Sequence, residues 1–185
     1  EILFDHEKLP FGPQLLYTAS AMESFVVSAE ICEDLWSPVP PSIAAALEGA
    51  TLIVNCSASD ETIGKDSYRR SLVEGQSARL ICGYIYANAG EGESTTDLVF
   101  GGHNLIAENG VILSESVRFT DGAVYTEIDL KRLLGERRKN TTFQAVKEPK
   151  LMRIPFEKCM EETKLKRLFP PRTFVADREW ERATR

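Results

Sequence analysis

The sequence predicts an α/β protein built on a mixed sheet with helices over one face, and three observations carry that expectation. Short runs of β-branched and apolar residues recur at 25–31, 51–56 and 80–87. Helix-compatible stretches separate them at 42–47 and 66–79. From residue 98 onward, strand-like runs alternate with glycine and asparagine turns. Strands joined through helices pair in parallel and strands joined by tight turns pair antiparallel, so the two halves together call for a mixed sheet.

Each element follows from local chemistry. Gly12 and Pro13 punctuate the chain before Leu15, Leu16 and Tyr17, which read as a turn feeding a short extended stretch. In 25–31, Phe25, Val27, Ala29 and Ile31 share one face at period two, and the β-branched residues favour the extended form, so a strand ends at Cys32. Pro38, Pro40 and Pro41 then remove amide donors, which predicts a rigid loop after the cysteine. Ser42 can cap a short helix through Ala44, Ala45, Ala46 and Leu47, with Gly49 suited to the left-handed position past its end. A buried strand follows at 51–56, then a polar loop at 57–65.

Residues 66–79 read as a helix whose apolar members are Tyr68, Leu72, Val73 and Leu80, with Gly75 as a weak point. A third strand spans 80–87, and the loop at 88–96 is rich in small residues whose glycines suggest close backbone approach or unusual dihedrals. Runs at 98–100, 103–107 and 111–113, with Asn109-Gly110 as a hairpin signal, predict an antiparallel meander extended by 123–128. Lys131 to Lys139 reads as a basic helix end or turn, and 148–185, charged and proline-bearing, as a peripheral extension or interdomain connector. The expected division is a main domain over 1–148 and a connector over 149–185.

Composition excludes several classes. A chain of 185 residues, 43% apolar and 27% charged, suits one soluble domain with its own core. A net charge of -6 argues against a sequence-independent nucleic-acid surface, which needs clustered cations to displace counterions. No apolar stretch is long enough to cross a bilayer, and the N-terminus lacks the layout of a secretory signal. Cys32, Cys56, Cys82 and Cys159 are unevenly spaced, contain no C-x-x-C pair and have only His6 and His103 as imidazole companions, so no metal site is expected. Cys56 and Cys82 lie in apolar runs and read as small buried hydrophobes, and a reduced, cytoplasmic protein fits best. The chain opens at Glu1 without an initiator Met and closes in a charged run at 177–185, which suggests a piece of a longer protein.

Cys32 is the candidate nucleophile. At the end of an apolar strand and the start of a polar loop, a cysteine can be partly exposed near backbone amides that favour its thiolate. The competing reading, a last buried strand residue, is common for cysteine, and position alone does not choose between them.

Resemblance adds what position does not. Glu30-Ile-Cys-Glu-Asp-Leu-Trp, Pro40-Pro-Ser, Gly49-Ala-Thr and Asn55-Cys-Ser-Ala-Ser resemble the nucleophile region of the nitrilase superfamily. Thr62-Ile-Gly-Lys-Asp, Tyr68-Arg-Arg, Ser77-Ala-Arg, Tyr84-Ile-Tyr-Ala and above all Gly90-Glu-Gly-Glu-Ser-Thr-Thr-Asp-Leu resemble the glutaminase domain of glutamine-dependent NAD synthetases. The likeness covers 11–128, and Phe174-Val-Ala-Asp is similar to the connector that precedes the synthetase domain in that family.

The resemblance implies a four-layer α-β-β-α sandwich, of which this chain is the later part. It implies a cysteine thiolate that attacks the side-chain amide of L-glutamine, with ammonia passing to an ATP- and magnesium-dependent synthetase domain of the same chain that converts deamido-NAD to NAD. Cys32 matches the nucleophile, while the family's glutamate base and oxyanion-stabilising lysine fall in segments upstream of this chain, which by itself is expected to be inactive and to need no cofactor. Ser59 and Lys65 match glutamine-contacting positions, Lys65 standing where some relatives have Arg. Trp36 is a candidate pocket wall. For Lys65 the plain alternative is a solvated lysine at a helix entrance, and for Trp36 ordinary loop packing. Glu30 and Glu33 are expected to support the cysteine loop, and Arg69 and Arg70 receive no catalytic role. A homo-oligomer is expected. Two other readings stand beside the first: a different nitrilase-superfamily amidase, and a non-catalytic assembly module.

Overall fold

The computed structural model describes residues 1–144, 150–157 and 164–167. An exposed hairpin of β1 (Ile2–Phe4) and β2 (Glu7–Leu9), unanticipated from the sequence, precedes the main sheet and turns through Asp5 and His6, both at positive φ. The main sheet is built from β3 (Leu15–Ala19), β4 (Val26–Ile31), β5 (Leu52–Ser57), β6 (Gly83–Asn88), β7 (Leu105–Glu108), β8 (Val111–Glu115) and β9 (Met152–Phe156). Its order is β8-β7-β6-β5-β4-β3-β9. β4, β5 and β6 run parallel, whereas β3 with β4, β6 with β7 and β7 with β8 are antiparallel, so the expected mixed sheet is present. The turn between β7 and β8 has Asn109 and Gly110 both at positive φ, as a two-residue hairpin matched to the strand twist requires.

Helices α1 (Pro41–Leu47) and α2 (Lys65–Leu80) provide the covering layer. Ala45 and Ala46 of α1 and Val73 and Leu80 of α2 share a core with Val26, Ile53, Tyr84, Tyr86, Leu105 and Ala107 from the strands. Gly49 follows α1 at φ 112, as expected. Ser42 is not the cap: α1 opens with Pro41, whose missing N–H costs nothing in a first turn. Ser42 lies inside the helix, buried, with its amide donating to Glu30 Oε2 and its hydroxyl accepting from Gln76 Nε2.

The period-two reading of β4 has the right phase, and the Val27, Ala29 and Ile31 face it groups is the one away from the helix-covered core. Val26, Ser28 and Glu30 point to the helix-covered core, while Ala29 and Ile31, the latter 60% exposed, lie on the opposite side of the sheet. Cys56 and Ala87 are exposed in register with Ile31 on that same open face, which corrects the expectation that Cys56 is buried. Cys82 is buried, and burial pushes its thiol up to about 12.

Other departures concern edges. Residues 98–100 form no strand, because their backbone bonds singly to loops, Glu61 N–H donating to Val99 O and Thr95 N–H to Leu98 O. Residues 123–128 also join no ladder; Tyr125 is 83% exposed and Ile128 tucks its side chain beside Leu52 and Gly83. Gly90 and Gly92 have neither positive φ nor crowding at the Cβ position. Met152–Phe156, in the stretch expected to be peripheral, is the edge strand β9, paired in parallel with β3. Glu48 ties it down, its carboxylate accepting from the amides of Lys150 and Leu151. The Phe174-Val-Ala-Asp connector motif and Cys159 lie outside the described residues.

The basic run at 131–139 is a full helix, α3 (Leu130–Lys139), capped by the Asp129 side chain on Arg132 N–H. Its Arg137 is buried, and desolvation holds its guanidinium below the usual arginine range. It donates to the carbonyls of Leu80, Ile81, Ala46 and Ala50, satisfying the orphan ends of α1 and α2, and stacks 4.8 Å from the Phe143 ring. Arg137→Met is expected to lower stability by about 2–4 kcal/mol, because several buried carbonyls lose their donors at once. A thermal unfolding scan checks this, and a shift of under about 2 °C would contradict it.

Candidate active site

The parallel strands β4, β5 and β6 bring their carboxyl ends to one edge of the sheet, the position where open α/β folds hold their reactive groups. Cys32 leaves β4 there, and Ser59 follows β5. Asn88, the last residue of β6, holds Ser59 by accepting its N–H at 2.8 Å and donating to its carbonyl at 3.0 Å.

Cys32 opens a 3-10 helix (Cys32–Trp36) and is partly exposed. Its φ of 48 is left-handed, a conformation that costs an L-residue roughly 1–2 kcal/mol. Several contacts maintain it. Asn55 Oδ1 accepts from Cys32 N–H at 3.0 Å, and Asp34 Oδ2 accepts from Ile31 N–H at 2.7 Å. Glu30, buried on β4, accepts from the Tyr84 hydroxyl and from Ser42 N–H. Loop support thus comes from Glu30, as expected, and from Asp34, while Glu33 is exposed. Burial, with the Glu30 carboxylate beside it, pushes the Tyr84 phenol far above its ordinary range, so it remains a proton donor.

Trp36 ends the same 3-10 helix and packs on Tyr68, ring centroids 5.1 Å apart. Lys65, the first residue of α2, sets its ammonium 5.8 Å from the Trp36 ring and pairs with Asp60. That hydrogen bond, more than any other influence, lowers the Asp60 carboxyl below its usual range. Lys65 is therefore partly buried and engaged rather than a freely solvated lysine. Trp36 and Lys65 are brought together by the structure, and Cys32 shares the 3-10 helix with Trp36.

Ser59 is buried and held from below by Arg69, a residue the sequence reading set aside. The Arg69 side chain has 0% exposure; it pairs with Glu61 at 2.9 Å, reaches Ser59 Oγ at 3.2 Å and bonds to His103 Nδ1 at 2.9 Å. His103 Nε2 in turn meets Glu115. The signal was present in spacing: Arg69, Val73, Gln76, Ser77 and Leu80 form the inward stripe of α2, whereas Tyr68 is exposed. Arg70 lies outside, paired with Glu74 and Glu115.

Glu115 gives this network a pH dependence. Burial works to raise its carboxyl, but hydrogen bonds from His103 and Arg70 outweigh that and leave it below the ordinary value. A carboxyl lowered in the folded state contributes stability that is full above the normal carboxylate range and lost as pH falls through the folded value. Glu115→Gln is therefore expected to flatten the acid limb of the stability–pH profile below about pH 5 and leave its slope near neutrality unchanged. Denaturation midpoints across that range test it, and parallel acid limbs for both proteins would refute it.

A partly exposed cysteine, held in a left-handed turn at the carboxyl edge of parallel strands with polar groups around it, suits covalent catalysis. Residues 4–138 match the carbon-nitrogen hydrolase family, and the chain belongs to that family. Its relatives include the glutamine-dependent NAD(+) synthetase of Mycobacterium leprae, 48% identical over 138 residues, which are 74% of this chain and 20% of that protein. The human glutamine-dependent NAD(+) synthetase is 31% identical over 118 residues, 64% of this chain and 16% of that protein. Among solved structures, the glutamine-dependent NAD(+) synthetase from Cytophaga hutchinsonii is 33% identical with a TM-score of 0.54, over 67% of this chain and 19% of that one. A carbon-nitrogen hydrolase from Helicobacter pylori G27, 20% identical with a TM-score of 0.51 over 61% of this chain and 43% of that one, shares the fold. The chain spans about a fifth of the length of the mycobacterial relative. Among the described residues, no helix is long and apolar enough to cross a membrane.

Proposed function

We propose that this chain is the later part of a glutaminase domain that supplies ammonia to the synthetase domain of a glutamine-dependent NAD synthetase, with Cys32 as its nucleophile. The observation that carries the reading is the placement of Cys32, partly exposed at φ 48 where β4 ends. The 48% identity to a glutamine-dependent NAD(+) synthetase supports the substrate and the linked synthetase domain.

In the reaction so read, the Cys32 sulfur attacks the side-chain amide carbon of glutamine, and its proton passes through a general base to the departing nitrogen, which leaves as ammonia. Water then cleaves the glutamyl thioester, releasing glutamate and restoring the thiol. No residue of this chain is assigned the role of general base or of oxyanion-stabilising lysine. Trp36 walls the pocket, Ser59 contacts the substrate, and Lys65 exchanges its Asp60 partner for the glutamine carboxylate. ATP and magnesium serve the synthetase domain. The protein acts in the cytoplasm as a homo-oligomer.

The test is intact mass and peptide mapping after exposing the full-length protein to 6-diazo-5-oxo-norleucine, a glutamine-mimicking electrophile. A single adduct at Cys32, suppressed by glutamine, is expected. No adduct at Cys32 would overturn the glutaminase reading, and suppression by another small amide but not by glutamine would favour a different amidase.

A further inference from the structure

We infer that Asn55 is the positioning residue for Cys32, the reading of Cys32 as nucleophile being the premise. Asn55 lies on β5, 99% buried, one strand away from the cysteine and 23 positions later in the chain. Its amide grips Cys32 on both sides of the Cα: Oδ1 accepts from Cys32 N–H at 3.0 Å, and Nδ2 reaches the Cys32 carbonyl at 3.4 Å. The same Nδ2 donates to the Tyr84 hydroxyl at 3.2 Å, and that hydroxyl donates onward to Glu30.

The direction of every proton in this chain is determined. Glu30 accepts, Tyr84 must donate to it, Asn55 must therefore donate to the Tyr84 oxygen, and this orients Oδ1 toward the Cys32 amide. A carboxylate at position 55 would have no proton for Tyr84, and an aliphatic side chain would leave the Cys32 amide without its acceptor. The relay thus links the buried Glu30 side chain on β4 to a fixed left-handed conformation at the first residue after β4. Fixing the backbone there fixes the direction from which the sulfur meets a carbonyl carbon, a quantity that affects reaction and not substrate affinity.

The experiment uses the full-length protein with Asn55→Ala and, as a volume-conserving second probe of the relay, Tyr84→Phe. Asn55→Ala is expected to lower kcat for glutamine hydrolysis about 100-fold, the scale of an ångström's misplacement, with KM changed less than about threefold. Tyr84→Phe should give a smaller fall in kcat with the same unchanged KM, and ammonia-dependent synthesis should stay near wild type in both. Iodoacetamide labelling, read by mass spectrometry, is independent of the substrate: the rate of Cys32 alkylation should fall below wild type in both variants.

Unchanged kcat in both variants would overturn the inference, as would a parallel loss of glutaminase and ammonia-dependent activity. If the wild-type protein proves unable to hydrolyse glutamine, the functional reading fails, and the labelling rate still decides the positioning: a Cys32 alkylation rate unaltered in both variants rejects it.

Discussion

Cys32→Ala in the full-length protein is expected to reduce glutamine-dependent NAD formation by at least about 1,000-fold while leaving ammonia-dependent formation within about twofold of wild type. The size follows from the chemistry: the thioester needs a sulfur, and among the described cysteines Cys32 alone sits in the loop where a parallel strand ends. Cys56 sits in register with Ile31 on the open face of the sheet, and Cys82 is buried with its proton held to about 12. Alanine keeps the Cβ at φ 48 and removes only the sulfur of a partly exposed side chain, so the fold should be retained. Two steady-state assays on one preparation, differing only in nitrogen source, decide it. Equal loss in both would mean that the substitution damaged the protein as a whole, and no loss in either would remove Cys32 from the mechanism.

Arg69→Met is expected to be the most costly substitution away from the reacting sulfur, lowering stability by about 3–5 kcal/mol, because removing one partner strands a buried charge. Glu61 would lose its 2.9 Å partner and keep only Arg118, at 3.3 Å and partly exposed. Ser59 and the Asp60 carbonyl would lose the donor that fixes the loop between β5 and α2. Arg70→Met makes the control: Arg70 is 42% exposed, its ion pairs are solvent-screened, and its loss should cost under about 1 kcal/mol. Calorimetry of the full-length protein should show the corresponding transition moving roughly 6–20 °C lower for Arg69→Met and by little for Arg70→Met. Glutamine KM should rise in the first variant as Ser59 loses its support. Similar transitions in the two variants would contradict the network.

Elements defined by local pattern were legible. The strand before Cys32, the strands at 51–56 and 80–87, the helix after residue 65 and the Asn109-Gly110 hairpin all appear within a few residues of their expected bounds. Misreadings cluster where a pattern names no partner. Residues 123–128 alternate like a strand but meet no ladder, and Met152–Phe156 sits in charged, proline-bearing sequence yet pairs with β3 from more than 130 positions away.

Sequence by itself determined the order β4, α1, β5, α2, β6, β7 and β8 and the cysteine at the end of β4, because periodicity and turn chemistry are local properties; Ser59 and Lys65 became candidates through motif resemblance, and Trp36 through its place four residues after the cysteine. Only the tertiary structure decided which face of β4 is inside, where Cys56 points, that Arg69 lies beneath Ser59, and that Glu30, Tyr84 and Asn55 converge on Cys32. Those depend on pairings 10 to 54 positions apart, and a buried polar group finds its partner across the sheet, where desolvation makes an unmade hydrogen bond costly, not along the chain.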